Sequence, residues 1–359
     1  MEFTKKDTNI IKGAAICLML LHHLFAFPER VQAGTFISLV SHGSTNLAVL
    51  IGAFGRICVP MFTFLSGYGI YRSSLSGKET PTALSARHIF SLYKTYWIVF
   101  TVCLPVIVLK NIYMRTDLIY ELIYGFLGLS TTFNAEWWFF LPFIIMLVLF
   151  PAIKRFIERE RAGLYTDLFL VVVLNTVFMY IVPEMIKWDI FSPFASTVFY
   201  GRLREVMIIM PAFLVGCIFA RYDILSTLKT RIGGRPLWCV AALIGMVAVY
   251  FVRSVNNKYY DFVNAAVFIV CITVLLPLKP VQAVGRVFEA LGKESAVMWL
   301  THTFLCIYWC QRLVYAPKYA VLVFIWLVAL SYALAKLIRF VWKWLGRAYC
   351  ALFHLKREA

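Results

Sequence analysis

Long apolar runs, each broken by a short cluster of charged and turn-forming residues, repeat along the whole chain. A run of roughly 17–25 predominantly apolar residues is what an α-helix needs to cross a bilayer. Ten segments carry that pattern: 9–27, 46–71, 88–110, 136–153, 165–182, 204–221, 237–253, 262–278, 294–313 and 319–342. No connection is long enough to hold a second folded domain. The longest, 28–45, 111–135 and 183–203, have room for short interfacial helices, and "LIYELIYGFLGL" in the middle one is amphipathic. The pattern predicts an all-α integral membrane protein, a bundle of about ten transmembrane helices.

Composition agrees. Apolar residues make up 62% of the chain and charged residues 15%, against roughly half and a quarter in soluble domains. A net charge of +17 would suit a nucleic-acid partner if it lay on one soluble face. It lies instead in short connections, where it reports orientation, and no nucleic acid is expected. With the N-terminus in the cytoplasm, 23 Lys and Arg fall on inside segments and 10 outside, and Arg56 and Lys94 lie within spans. That asymmetry predicts an even number of spans with both termini cytoplasmic. Lys5 and Lys6 precede the first apolar run as they would in a signal peptide, but the run holds two histidines and no cleavage site follows closely, so it reads as a retained span. Cysteines fall mostly inside apolar runs as small hydrophobes. Cys306 and Cys310, one helical turn apart, lack further ligands nearby, so packing explains them better than a metal, and none is expected.

Ionisable groups inside spans are costly and mark sites by default. The first run, "IIKGAAICLMLLHHLFAF", holds Lys12, His22 and His23. Lys12 and His23 are eleven residues apart, three helical turns plus about 20°, so they share a face about 16 Å apart along the axis. His22 is rotated about 80° off that line. Arg56 lies about ten residues into the second run, too deep to snorkel and unable to deprotonate. Pro60 frees a backbone carbonyl near it and can bend the helix. Ser66 belongs to a small-residue stretch, "SGYG", for which helix packing is the plainer reading. Glu136 opens "EWWFFLP", where Trp137 and Trp138 fit an aromatic belt and Glu136 is either a solvated interface carboxylate or a partner for His23. His302 sits between Thr301 and Thr303 in the ninth run, satisfied by their hydroxyls or serving the same site. Arg202, Arg204 and Glu205 read as a polar rim.

Taken in order, these segments resemble the acyltransferase-3 family of membrane O-acyltransferases. "IKGAAICLMLLHHLF" is similar to its first helix, with a basic residue and then an essential histidine. "GRICVPMFTFLSGYGIYR", "EWWFFLP", "RLREVMIIMPAFLVGCIFAR" and "LGKESAVMWLTHTFL" resemble later motifs in register, over most of the chain. One departure is Lys12, where the family often has arginine; lysine keeps the charge and loses the bidentate fork.

The resemblance implies a single transmembrane acyltransferase domain over residues 1–350, with 351–359 as a short cytoplasmic tail. It implies a cytoplasmic acyl-CoA donor, usually acetyl-CoA, and an acceptor hydroxyl on a glycan or lipid-linked sugar outside. A bacterial cytoplasmic membrane is the implied location. On that basis Lys12, Ser66 and Arg72 are expected to bind the donor. His23 would act as general base, Arg56 as oxyanion stabiliser or donor clamp, and Glu136 or His302 would hold the imidazole. Direct attack and a transient acyl-histidine both stay open. Some relatives carry an extra soluble hydrolase-like domain. This chain is expected either to acylate its acceptor directly or to work with a separate extracytoplasmic transferase. The competing class is a secondary transporter, compatible with in-membrane charges and proline-broken helices, although no repeat between the halves is evident.

Overall fold

The computed structural model describes residues 2–42, 45–112, 116–159, 163–256 and 259–352. The expected tail lies outside the described residues from position 353 onward. Thr4 caps the first helix: its hydroxyl accepts from the Asp7 amide while Asp7 accepts from the Thr4 backbone. That helix, α1, runs Lys5–Phe25. The chain continues through α2 (Leu47–Phe54), α3 (Cys58–Ser74), α4 (Pro81–Asn111), α5 (Thr116–Phe126), α6 (Phe140–Ile157), α7 (Leu164–Thr176), α8 (Val182–Met185), α9 (Ser192–Ala195) and α10 (Val198–Arg221). Then come α11 (Ile224–Arg231), α12 (Pro236–Asn256), α13 (Asp261–Leu275), α14 (Lys279–Thr303), α15 (Gln311–Tyr315) and α16 (Ala320–Leu352). Among the described residues the only sheet is a two-stranded antiparallel ladder, Ser41–His42 with Thr45–Asn46.

Eight helical segments are long and apolar enough to cross a membrane, two fewer than the pattern predicts. The expected span at 262–278 is α13, only 15 residues long; Pro277 ends it, because a residue preceding proline is pushed out of the helical region. The expected span at 294–313 begins inside α14, whose preceding residues include Lys279, Arg286, Glu289 and Lys293. Beyond Thr303 it widens into a π-helical turn, Phe304–Trp309. The predicted amphipathic segment is α5, with Leu118 buried and Ile119, Tyr120 and Ile123 exposed.

Helices α1, α3, α10 and α14 form the centre, whereas α7 and α12 expose Phe169, Val172, Leu243 and Val247. In a bilayer such apolar surface faces lipid, so burial there no longer tracks hydrophobicity. The centre is held by glycines instead. A Cβ on Gly13 would lie 2.0 Å from the Phe288 carbonyl oxygen, and one on Gly292 would lie 1.9 Å from that of Asn9. A second crossing repeats this: Gly67 meets the Phe213 carbonyl at 2.2 Å and Gly216 that of Phe64 at 2.1 Å. Small residues let helix backbones touch where lipid supplies no hydrophobic drive. Helices α1 and α14 run parallel from their crossing, which brings His23 and His302 together ten residues beyond Gly13 and Gly292. Gly292→Ala is expected to unseat that pair and lower the unfolding temperature in detergent. Gly69→Ala, with nothing within 4 Å of its added methyl, is expected to leave it unchanged. Equal unfolding temperatures for the two variants would contradict the crossing.

Candidate active site

Between α1, α3, α4, α6 and α14 lies a cavity of about 550 Å³. Lys12, Ser66 and His88 line one end, and His22, His23, Arg30, Arg56 and Glu136 the other. The structure thus brings Lys12, Ser66, His23, Arg56 and Glu136 to one space. Lys12 and His23 do lie on one wall, as their helical spacing requires. His22 also reaches the cavity, but its Nδ1–H is committed to the Gly52 carbonyl at 2.9 Å.

Arg56 is aimed inward by a break in its helix. Residues Gly55–Ile57 form a 3₁₀ turn between α2 and α3. Pro60, four residues beyond Arg56, has no N–H to give the Arg56 carbonyl, so a regular α-helix cannot pass through this point. Gly55 permits the bend to press on α1, where a Cβ would come within 2.3 Å of the Leu18 carbonyl. Among the described residues no carboxylate pairs with Arg56. Asp261, the nearest candidate on the neighbouring wall, is held by Arg253 through bonds of 3.0 and 3.3 Å.

Glu136 sits on a 3₁₀ segment, Ala135–Phe139. Four bonds tie this segment to the α14 region: Asn134 Nδ2 donates to Thr303 Oγ1 at 2.7 Å, Trp137 Nε1 to the Leu300 carbonyl at 3.0 Å, Trp299 Nε1 to the Glu136 carbonyl at 3.3 Å, and the Tyr308 hydroxyl accepts from the Ala135 amide at 3.1 Å. Trp137 is therefore not a belt residue. It is 2% exposed inside the bundle, because its indole N–H needs an acceptor that lipid cannot offer. The same anchoring places Glu136 Oε2 3.7 Å from His23 Nε2. That is too long for a hydrogen bond and leaves a gap a hydroxyl can enter. Glu136 Oε1 accepts from Arg30 at 3.1 Å, so the carboxylate is neutralised on its far side.

His302 does not line the cavity. It stands directly behind His23, fully buried, with ring centroids 4.9 Å apart. Its Nδ1–H donates to the Trp299 carbonyl at 2.8 Å and the Met298 carbonyl at 3.1 Å, not to the flanking threonines. Thr301 is turned back onto the Val297 carbonyl and Thr303 accepts from Asn134. With the proton on Nδ1, His302 Nε2 is left as an acceptor. His302 Nε2 and His23 Nδ1 are both buried without a hydrogen-bond partner. With His302 Nε2 an acceptor beside the His23 ring, the tautomer favoured for His23 has its proton on Nδ1 and its lone pair on Nε2, the nitrogen on the Glu136 side.

Arg72 is not brought to the site. It is held at 3.3 Å by both Glu2 and Asp223. This belongs to a latch over the chain's start, in which Lys229 also bonds Asp7 at 2.6 Å and Phe3 stacks edge-on against Tyr68. Several lining residues escaped the sequence reading. His88, Ser91 and Thr95 on α4 all face the cavity. Their spacing of three and four is a helical polar stripe, a signal that a period search of that span would have found. Arg30 had no such signal, since it ends a single 3₁₀ turn, Pro28–Arg30, and is joined to Glu136 only by folding.

Comparison with curated proteins and with solved structures returned no match. A family model described as an acyltransferase domain matches residues 6–336. The matched region holds every residue of the cavity described above, and it sets the transporter alternative aside. The chain is a multi-pass membrane acyltransferase and belongs to the acyltransferase-3 family.

Proposed function

We propose that the enzyme moves an acyl group, acetyl in the first instance, from cytoplasmic acyl-CoA to a hydroxyl of a cell-surface glycan or lipid-linked sugar. The observation that carries this reading is one cavity with Lys12, a cation with no carboxylate partner among the described residues, at one end and the His23–Arg56–Glu136 group at the other. A long thin thioester arm, anionic at its nucleotide end, suits that shape and polarity. In this reading the Lys12 end faces the cytoplasm, ten helices cross the membrane, and both termini are inside. Lys12 holds donor phosphate as a point charge, Ser66 and the α4 stripe bond the amides of the arm, and Arg72 takes no part.

Chemistry then follows from the tautomer. The acceptor hydroxyl loses its proton to His23 Nε2 as its oxygen attacks the thioester carbonyl. Arg56 faces the oxyanion that forms. The C–S bond breaks, the proton passes from His23 to the departing sulfur, and the products are CoA thiol and a sugar ester. His302, packed against the His23 ring with its own Nε2 as an acceptor, biases His23 toward the Nδ1–H tautomer and holds the ring in place. Replacing His302 by alanine is expected to slow transfer by roughly ten- to hundredfold and to alter the pH–rate profile, with glutamine restoring part of the rate. An unchanged profile in the alanine variant would reduce His302 to a packing role.

The decisive assay is thiol release from acetyl-CoA by purified enzyme with pooled envelope glycans. Release that requires the pool, with label recovered in a sugar ester, is the expected result. Failure of any acyl-CoA to support release from an otherwise folded, CoA-binding protein would overturn the reading.

A further inference from the structure

A second cavity, of about 360 Å³, lies beside the first at the same end of the bundle as His23. The two share three wall residues, Arg56, Val59 and Trp138. Apart from these and Pro60, the second is built from different segments: Phe178 and Met179 from a π-helical turn (Val177–Ile181), Tyr200 and Arg204 from α10, and Tyr259, Asp261 and Phe262 at the start of α13. The π turn widens α7 where the cavity needs room, and such turns cluster at functional sites. Aromatic faces beside a few convergent polar groups are the chemistry that holds a sugar ring, which has apolar C–H faces and a hydroxyl rim.

Charge narrows the ligand. Asp261 is neutralised by Arg253, and Asn175 donates its side-chain amide to the Tyr259 carbonyl at 3.2 Å. Arg204 and Arg56 are the guanidiniums on this wall, and among the described residues neither is paired with a carboxylate. Arg202, two residues before Arg204, takes the available Glu205 through bonds of 3.1 and 3.0 Å. The cavity therefore presents uncompensated positive charge around an aromatic slot.

We infer that this second cavity is the acceptor site, that it takes an anionic sugar, and that Arg204 binds the sugar's phosphate or carboxylate while its hydroxyl reaches past Arg56 to the thioester. The inference rests on the proposed transfer and adds the acceptor's class and place. Two separate cavities meeting at Arg56 would let donor and acceptor approach from different sides without sharing a path.

The test uses full-length enzyme and the pooled envelope glycans split on an anion exchanger. Acceptor activity is expected in the retained fraction. Arg204→Gln is expected to raise the acceptor concentration for half-maximal rate by about tenfold, the loss of one charge-assisted contact, and to leave that for acetyl-CoA unchanged. Met179→Trp, which fills the slot from the π turn, is expected to do the same. Phosphatase treatment of the retained fraction abolishes activity if the anion is a phosphate, and carbodiimide amidation abolishes it if it is a carboxylate. Activity in the unretained fraction, or variants that shift acetyl-CoA saturation instead, overturns the inference. Release that fails with the whole pool strikes the proposed transfer itself, so the two failures are told apart.

Discussion

His23→Ala is expected to abolish measurable acyl transfer, a fall of about 10²–10⁴-fold or more, in a protein that still folds and still binds the donor. Of the cavity histidines, His23 is the one whose Nε2 faces Glu136, 3.7 Å away: His22 is held through Nδ1 by the Gly52 carbonyl, His88 stands at the Lys12 end, and His302 lies behind the wall. The fall should extend to His23→Gln, which keeps volume and a hydrogen-bonding amide but cannot cycle a proton. Donor binding is checked by displacement of a labelled CoA, and folding by elution and unfolding temperature in detergent. Near-normal thiol release from a folded His23→Ala protein would end the assignment. Rapid quenching with acyl-labelled CoA before acceptor is added separates the two routes. Label on wild-type protein but not on the alanine variant marks an acyl-histidine; label on neither marks direct attack.

Arg56→Ala is expected to cost about 10²–10³-fold in turnover, the range for removing one preorganised donor to an oxyanion. It should do so without loss of stability. Deleting one member of a buried pair is strongly destabilising because it strands the other. Arg56 has no such partner among the described residues, so alanine removes a cost of folding and the unfolding temperature should hold or rise. Activity falling while stability rises is the signature of a residue kept for function. Arg56→Lys should recover part of the rate, since the charge survives and the planar fork does not. A steep drop in unfolding temperature in Arg56→Ala would instead mark it as structural.

Much of this was legible in the chain. The apolar runs matched helices because the bilayer leaves a spanning backbone few other ways to satisfy its polar groups. Lys12 and His23 were found together because they share one helix, and eleven residues return to one face by helical geometry alone. Arg56 stood out because no arginine can shed its charge in lipid. The two spans that differed, α13 and α14, are those in which proline and charged residues interrupt the apolar pattern. Arg72 was misplaced because a basic residue near a helix end looks the same whether it faces a ligand or a carboxylate. Only the fold supplied Glu2 and Asp223 as its partners.

By itself, then, the sequence determined that the chain is a helical membrane protein with a histidine and an arginine placed within its first two apolar runs. Those facts follow from local periodicity and from the cost of charge in hydrocarbon. Tertiary structure alone decided the rest: that Glu136 and His302 flank the same imidazole, that Arg30 balances Glu136, and that Arg56 stands between two cavities. These pairs are separated by about a hundred residues or more along the chain. What joins them is the close approach of backbones at Gly13, Gly292, Gly67 and Gly216, and helix crossings of that kind depend on shape between distant segments, which no local pattern records.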